Sequence, residues 1–349
     1  MALTPDGQEQ KNTAKRGGGL PLTAKGNFLA VLTALAAILL GAFSLRFFVA
    51  APLIAAVCFL VGTVSSAMLF CYGAGAVRLI PMLGAVCAYF LSGIPGACLA
   101  LAVISAGIVL TASAAHGRTR FETAAWQTLA VCGVLFALVL CLVAAATGSL
   151  GAEAFRSAVD TLVETVVPYY QQIVAEVAEN AQTDAQRELL SVLSDPERIG
   201  TAIRSILNVL PAYAAALISC FCYGTVSLFS RLAERTGRRL PLLRMFSVPV
   251  VTAYLYVFAV FIGIFTSTSS VFGLALRYLS ILLTPCLALL GARAVIALFR
   301  SKATGGARVV VILIAVFCCT VMLPYVLSLL AFIGAGVCTR AAVAARLHK

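Results

Sequence analysis

The sequence predicts an all-α fold: a polytopic transmembrane helix bundle of about nine spans (eight to ten) with an external amphipathic helical insertion. Apolar residues fill 62% of the 349 positions and charged residues 11%, against roughly 45–50% and about 25% in soluble domains. The apolar stretches run uncharged for at least the ~20 residues that cross a hydrocarbon core. Basic residues fall between these stretches, where the positive-inside rule puts cytoplasmic loops.

The net charge of +12 therefore reports topology. Nucleic acid is not an expected partner, because the basic residues form no single stripe with interleaved aromatics. Of the twelve cysteines, these ten lie in or at the edges of apolar runs (Cys58, Cys71, Cys87, Cys132, Cys141, Cys220, Cys222, Cys286, Cys318, Cys319), where a free thiol behaves as a small hydrophobe. No CxxC pair or His-containing ligand set occurs, so neither metal nor cofactor is expected.

Residues 1–25 form a polar tail with Lys11, Lys15, Arg16 and Lys25, expected in the cytoplasm. Residues 26–45 follow as a first span, longer than the apolar core of a cleaved signal peptide. Arg46 and Arg78 bound a second span within 47–77. Residues 79–115 are too many for one helix and are expected to break at Ser92-Gly93-Ile94-Pro95-Gly96 into two short spans. His116, Arg118 and Arg120 then mark a cytoplasmic loop, and a fifth span, 124–146, completes an N-terminal bundle over 26–147.

Composition changes abruptly in 148–203. Glu153, Asp160, Glu164, Glu176, Glu179, Asp184, Glu188, Asp195 and Glu197 belong to this segment, out of thirteen acids in the chain. Phe155, Val159, Leu162, Val163, Val166, Ile173, Val174 and Val177 recur at helical spacing, which predicts an external amphipathic helix. Pro168 is expected to interrupt it at Tyr169 and Tyr170. Thr183 and Gln186 give a capping box for a second short helix, and Ser194-Asp195-Pro196 reads as a cap with proline at the first helical position. The segment is either a pair of surface helices joining spans, or a lid or partner surface.

A C-terminal bundle of four or five spans occupies 204–339. Its first span is 203–230, followed by a basic cytoplasmic loop of Arg231, Arg235, Arg238, Arg239 and Arg244. That loop is a topology determinant or a site for anionic headgroups. A span over 248–265 leads to the external cluster Thr266-Ser267-Thr268-Ser269-Ser270, and 272–298 returns to Arg300, Lys302 and Arg308. Residues 309–339 are uncharged around Pro324 and form either one long kinked span or two short ones, before a basic tail over 340–349.

No Asp or Glu lies in a predicted span, which disfavours proton relay through carboxylates. No GxxxxGK[ST] phosphate loop is present, so energy for uphill transport must come from a partner. His116 and His348 lack an HExxH setting and no GxSxG elbow exists, so no enzyme is expected. The polar residues within spans are few: Asn208, Arg277, Arg293 and tyrosines including Tyr213, Tyr223, Tyr254, Tyr256 and Tyr278. Arg277, near an outer end, and Arg293, near an inner end, either snorkel or serve as an anion ligand or interhelical crosslink. A ligand site, if present, is expected near the outer leaflet at Tyr169, Tyr170, Asn208 and Arg277. Small residues repeat at Ala30-xxx-Ala34, Ala37-xxx-Gly41 and Gly62-xxx-Ser66, a spacing that permits close helix contact.

The order of features from the acidic segment onward resembles the YybS-like family of uncharacterised bacterial membrane proteins. The likeness rests on the helix over 196–230, the run Arg244-Met245-Phe246-Ser247-Val248-Pro249, the sparsely charged pair of spans after it, and the final run through Pro324-Tyr325 to Gly334. The N-terminal half is similar to the substrate-binding components of energy-coupling-factor transporters. That resemblance implies an Ala-x-x-x-Ala contact with a coupling subunit, matched by Ala30 and Ala34, and a separate ATPase module as partner.

Two functions follow as expectations. One is a non-enzymatic transport or substrate-capture component of the bacterial cytoplasmic membrane, N-terminus inside. The other is a scaffold or regulatory protein docking envelope proteins through its external helices or Arg-rich loop.

Overall fold

The computed structural model describes residues 22–50, 52–73, 75–147, 152–179, 183, 186, 195–235, 240–266, 270–302 and 323–347. Among these residues the regular structure is helical, with nine α-helices and no named strand. They are α1 (Leu22–Ala50), α2 (Pro52–Tyr72), α3 (Ile80–Ala115), α4 (Arg120–Thr147), α5 (Ala152–Glu179), α6 (Pro196–Arg235), α7 (Val250–Phe265), α8 (Val271–Lys302) and α9 (Leu323–Leu347). A 3₁₀ turn, Gly75–Leu79, precedes α3.

Among the described residues five helical stretches are long and apolar enough to cross a membrane: Ile54–Tyr72, Gly75–Ala115, Arg120–Cys141, Pro196–Arg235 and Val271–Phe299. Gly26–Ala42, Val250–Phe265 and Tyr325–Ala341 are apolar but shorter. Large apolar side chains point outward from these helices, among them Phe90 at 80% exposure and Ile264 at 72%. That is what an integral membrane protein requires, because such surface is costly in water and free of cost against lipid tails.

The chain divides into two compact units, one of Met1–His116 with Leu228–Pro241, the other of Gly117–Ser227 with Leu242–Lys349. This division differs from the sequence-based boundary at residue 147, since α4 groups with the second unit. Within that unit Thr225 of α6 donates to Gln127 Oε1 of α4 at 3.1 Å.

In the first unit, α3 reverses direction within itself. Gly93 has φ +68° and ψ −154°, a backbone state foreign to helix and natural to glycine. A Cβ at Gly96 would lie 2.7 Å from the carbonyl of Ala88, whereas eight residues of straight helix separate by about 12 Å. The expected break at Ser92–Gly96 is therefore a tight hairpin. Its arms close on α1 through Ala37, Ala85, Ala88, Ala100 and Ile104, and Ser92 donates to the Ala42 carbonyl at 2.7 Å. The small-residue stripes lie on these seams. A Cβ at Gly41 would overlap Ala88, and one at Gly62 would meet Val103 and Ala36. Thr33 donates to Ser65 Oγ at 2.9 Å across the α1–α2 contact.

Two expectations need correction. α5 continues through Pro168 without interruption; a proline deletes one backbone hydrogen bond, and a helix of this length tolerates that loss. α1 continues past Arg46 to Ala50, because a flanking arginine ends an apolar run without ending helical hydrogen bonding. Pro324 lies within α9, whose described part is Leu323–Leu347. Residues 309–322, and so the choice between one span and two, lie outside the described residues, as do Arg238 and Arg239.

The caps formed as read. Thr183 and Gln186 exchange bonds, backbone N–H to side-chain oxygen, at 3.3 Å each. Asp195 Oδ1 accepts from the Glu197 N–H at 3.1 Å, and α6 begins at Pro196. The rest of the second short helix lies outside the described residues.

Candidate functional site: an apolar cavity with one cationic end

The second unit holds a cavity of about 650 Å³ between α6, α7, α8 and α9, within the size range of small-molecule sites. Each helix contributes one stripe at helical spacing. α6 supplies Val209, Tyr213, Ala216, Leu217 and Cys220; α7 supplies Tyr256, Ala259, Val260, Gly263 and Ile264. α8 supplies Arg277, Ser280, Ile281 and Thr284, and α9 supplies Leu327, Ser328 and Phe332. The walls are mainly aliphatic and aromatic, and Arg277 is their sole charged residue.

Most polar groups here are already engaged. Ser280 donates to the Arg277 carbonyl at 2.9 Å and Thr284 to the Ser280 carbonyl at 2.7 Å. The guanidinium of Arg277 has no carboxylate partner among the described residues.

A smaller cavity of about 170 Å³ adjoins this one, sharing Val209 and Arg277 and adding Thr201, Arg204, Ser205, Asn208 and Leu274. The stripe on α6 thus changes character along the helix, from Thr201, Arg204, Ser205 and Asn208 to Val209, Tyr213, Ala216 and Cys220. The hydroxyl of Tyr278 donates to the Asn208 carbonyl and fixes α8 against α6 at this level. A third cavity of about 510 Å³ shares Thr201 and Arg204 and is completed by Val163, Glu164, Val167 and Pro168 of α5. Arg204 is paired with Asp160 of α5, Nη2 to Oδ1 at 2.9 Å and Nε to Oδ1 at 3.1 Å. Of the two arginines at this level, Arg277 is therefore the one without a carboxylate partner among the described residues.

At the opposite end a fourth cavity, about 220 Å³, shares Cys220 and Pro285 with the largest one. Phe246 closes its wall. The ring of Phe246 meets Tyr223 edge-on at 5.5 Å and Phe121 at 6.0 Å, and the Arg293 guanidinium lies 5.4 Å from its centroid. The segment carrying Phe246 is held by backbone bonds, Arg120 N–H to the Arg244 carbonyl and Arg244 N–H to the Arg118 carbonyl, both 3.3 Å. The Arg-x-Phe-x-x-Pro run thus serves to seat one aromatic ring, and Pro249 caps α7.

Of the expected ligand residues, Asn208 and Arg277 line one cavity. Tyr169 and Tyr170 do not join them: both are exposed on α5, Tyr169 at 67%, beside Pro168. Of the expected coupling residues, Ala30 is fully buried within its own unit. A Cβ at Gly84 would fall 3.2 Å from the Cα of Ala34, so α3 covers that position. Arg231 and Arg235 are exposed near the end of α6, and Arg244 is exposed in its backbone bridge to Thr119. Sequence reading missed Thr201, Arg204, Ser205, Ser280, Thr284 and Phe246 as a set. The signal available was the three-to-four-residue recurrence of polar side chains on α6.

No family model, curated protein or solved structure matches the chain.

Proposed function

We propose that the chain is a non-enzymatic transport or substrate-capture component of a bacterial cytoplasmic membrane, related to the YybS-like family and dependent on a partner for energy. In this reading it has about nine spans, a cytoplasmic N-terminus, and α5 at the outer surface. The observation that carries it is the row of adjoining cavities along α6, polar at the α5 end and with the Phe246 ring in the wall at the other. From Thr201 to Cys220 the row follows about 28 Å of helix, close to the ~30 Å of a bilayer's hydrocarbon core. A site reached from one face and closed at the other is the arrangement that capture or alternating access needs.

The test is purification of the full chain from native membranes in mild detergent, with mass spectrometry of bound small molecules and proteins. Gly263→Phe serves as the comparison, because Gly263 lines the main cavity and a side chain there meets nothing within 4 Å. A molecule carried by the wild type and absent from Gly263→Phe supports capture. Absence of any ligand from both would sink it.

A scaffold reading is favoured by a different observation, the exposed apolar residues of α5: Leu162, Val166, Ile173 and Val177. Recovery of envelope proteins that depends on these residues, with no bound small molecule, would support that alternative.

A further inference from the structure

The capture reading leaves the ligand unspecified, and the walls of the site narrow it. The main cavity is apolar over the stretch from Val209 to Cys220, about 16 Å of helix. At one end stands Arg277, which has no carboxylate partner among the described residues. Beside it, Asn208 lines the small polar cavity. The hydroxyls of Thr201 and Ser205 already donate to the carbonyls four residues back, at 2.8 Å each. At this end the Arg277 guanidinium supplies the charged donor and the Asn208 amide lies beside it.

A small inorganic anion would satisfy Arg277 and leave the 650 Å³ apolar cavity unfilled. A neutral hydrocarbon would fill that cavity and make no use of the Arg277 guanidinium, which is exposed at its end. One molecule meets both demands if it has an anionic head and a hydrocarbon chain.

We propose that this site takes an amphipathic anion, its phosphate or carboxylate head on Arg277 and Asn208 and its chain along the groove between α6, α7, α8 and α9. The proposal rests on the capture reading and adds the substrate class. Arg277 suits the head because a guanidinium fork holds phosphate or carboxylate oxygens bidentately. Arg204 is kept out of competition by Asp160.

The experiment uses the full chain in phosphatidylcholine nanodiscs and two photoreactive probes with the same chain-terminal diazirine, one a hexadecyl phosphate and the other its phosphocholine ester. Labelled residues are mapped by peptide mass spectrometry. The phosphate probe is expected to label cavity residues of α7 and α8 in preference to the phosphocholine probe. Arg277→Ala should lower that labelling by about tenfold, the loss of a charge-assisted hydrogen bond, and Arg277→Lys should restore part of it. Gly263→Phe should abolish labelling inside the groove while eluting as a monodisperse protein.

Equal labelling by both heads, or labelling indifferent to Arg277→Ala, would overturn the proposal. Displacement of the probe by inorganic phosphate alone would overturn it in favour of a small-anion site. If neither probe labels the groove while a native molecule still co-purifies in a Gly263-dependent way, the ligand class is wrong and the capture reading stands. If nothing binds by either method, both fall.

Discussion

Gly291 of α8 and Gly334 of α9 face each other at a backbone-to-backbone crossing. A Cβ on Gly291 would lie 1.9 Å from the Leu330 carbonyl oxygen, and one on Gly334 would lie 2.0 Å from that of Leu287. The core of the second unit gathers around this crossing, with Ala288, Ala331, Ala335 and Tyr256. Membrane helices associate through packing and not through expulsion of water, so such approach is a principal source of stability.

Gly291→Ala and Gly334→Ala should each destabilise the protein by about 1–3 kcal/mol, the usual cost of overpacking, because the obstructing atoms are backbone. Gly336→Ala, with open space around it, should be neutral or slightly stabilising. Thermal aggregation in detergent, followed by size-exclusion chromatography, measures the difference.

Thr225 and Gln127 are both fully buried, and their hydrogen bond uses Oε1 while Gln127 Nε2 has no partner among the described residues. Thr225→Val leaves both amide atoms of Gln127 unsatisfied and should cost about 1–3 kcal/mol. Gln127→Leu removes the unsatisfied group and leaves the Thr225 hydroxyl the Cys222 carbonyl at 2.7 Å, so it should cost less. Equal melting points for the two variants would refute this asymmetry.

Arg204 and Asp160 are each about half exposed, so their pair should contribute no more than about 1 kcal/mol. Asp160→Asn should barely change the melting temperature. It should raise binding of the hexadecyl phosphate probe, because it frees a second guanidinium at the polar cavity.

Phe246 makes two aromatic edge contacts, worth about 0.5–1.5 kcal/mol each. Phe246→Ala should therefore destabilise the protein by about 1–3 kcal/mol on that scale. It should also speed reaction of Cys286, which lines the same small cavity, with N-ethylmaleimide. Peptide mapping of alkylation at early times reads the change, and an unaltered Cys286 rate would show that the ring is not a stopper.

The sequence by itself determined the helical class, the membrane as medium, the break at Gly93, and the caps at Thr183 and Asp195. These depend on composition and on residues a few positions apart, which is the range over which propensity and capping act. A further local signal was present and unread: Thr119 and Glu122 exchange the same reciprocal bonds as a capping box, at 3.1 and 3.2 Å.

Half of the candidate site was legible for the same reason. Asn208 and Arg277 stand out because polar groups are rare in apolar helices, whereas Tyr169 and Tyr170 drew notice at the Pro168 break expected in the acidic segment and lie elsewhere. What only the tertiary structure decided is which stripes face each other. The polar and apolar stripes of α6, α7 and α8 meet around Arg277 because helices far apart in sequence cross at small residues, as Gly291 and Gly334 do. In a chain rich in alanine and glycine many such crossings are compatible with the pattern, and one is selected by three-dimensional packing alone.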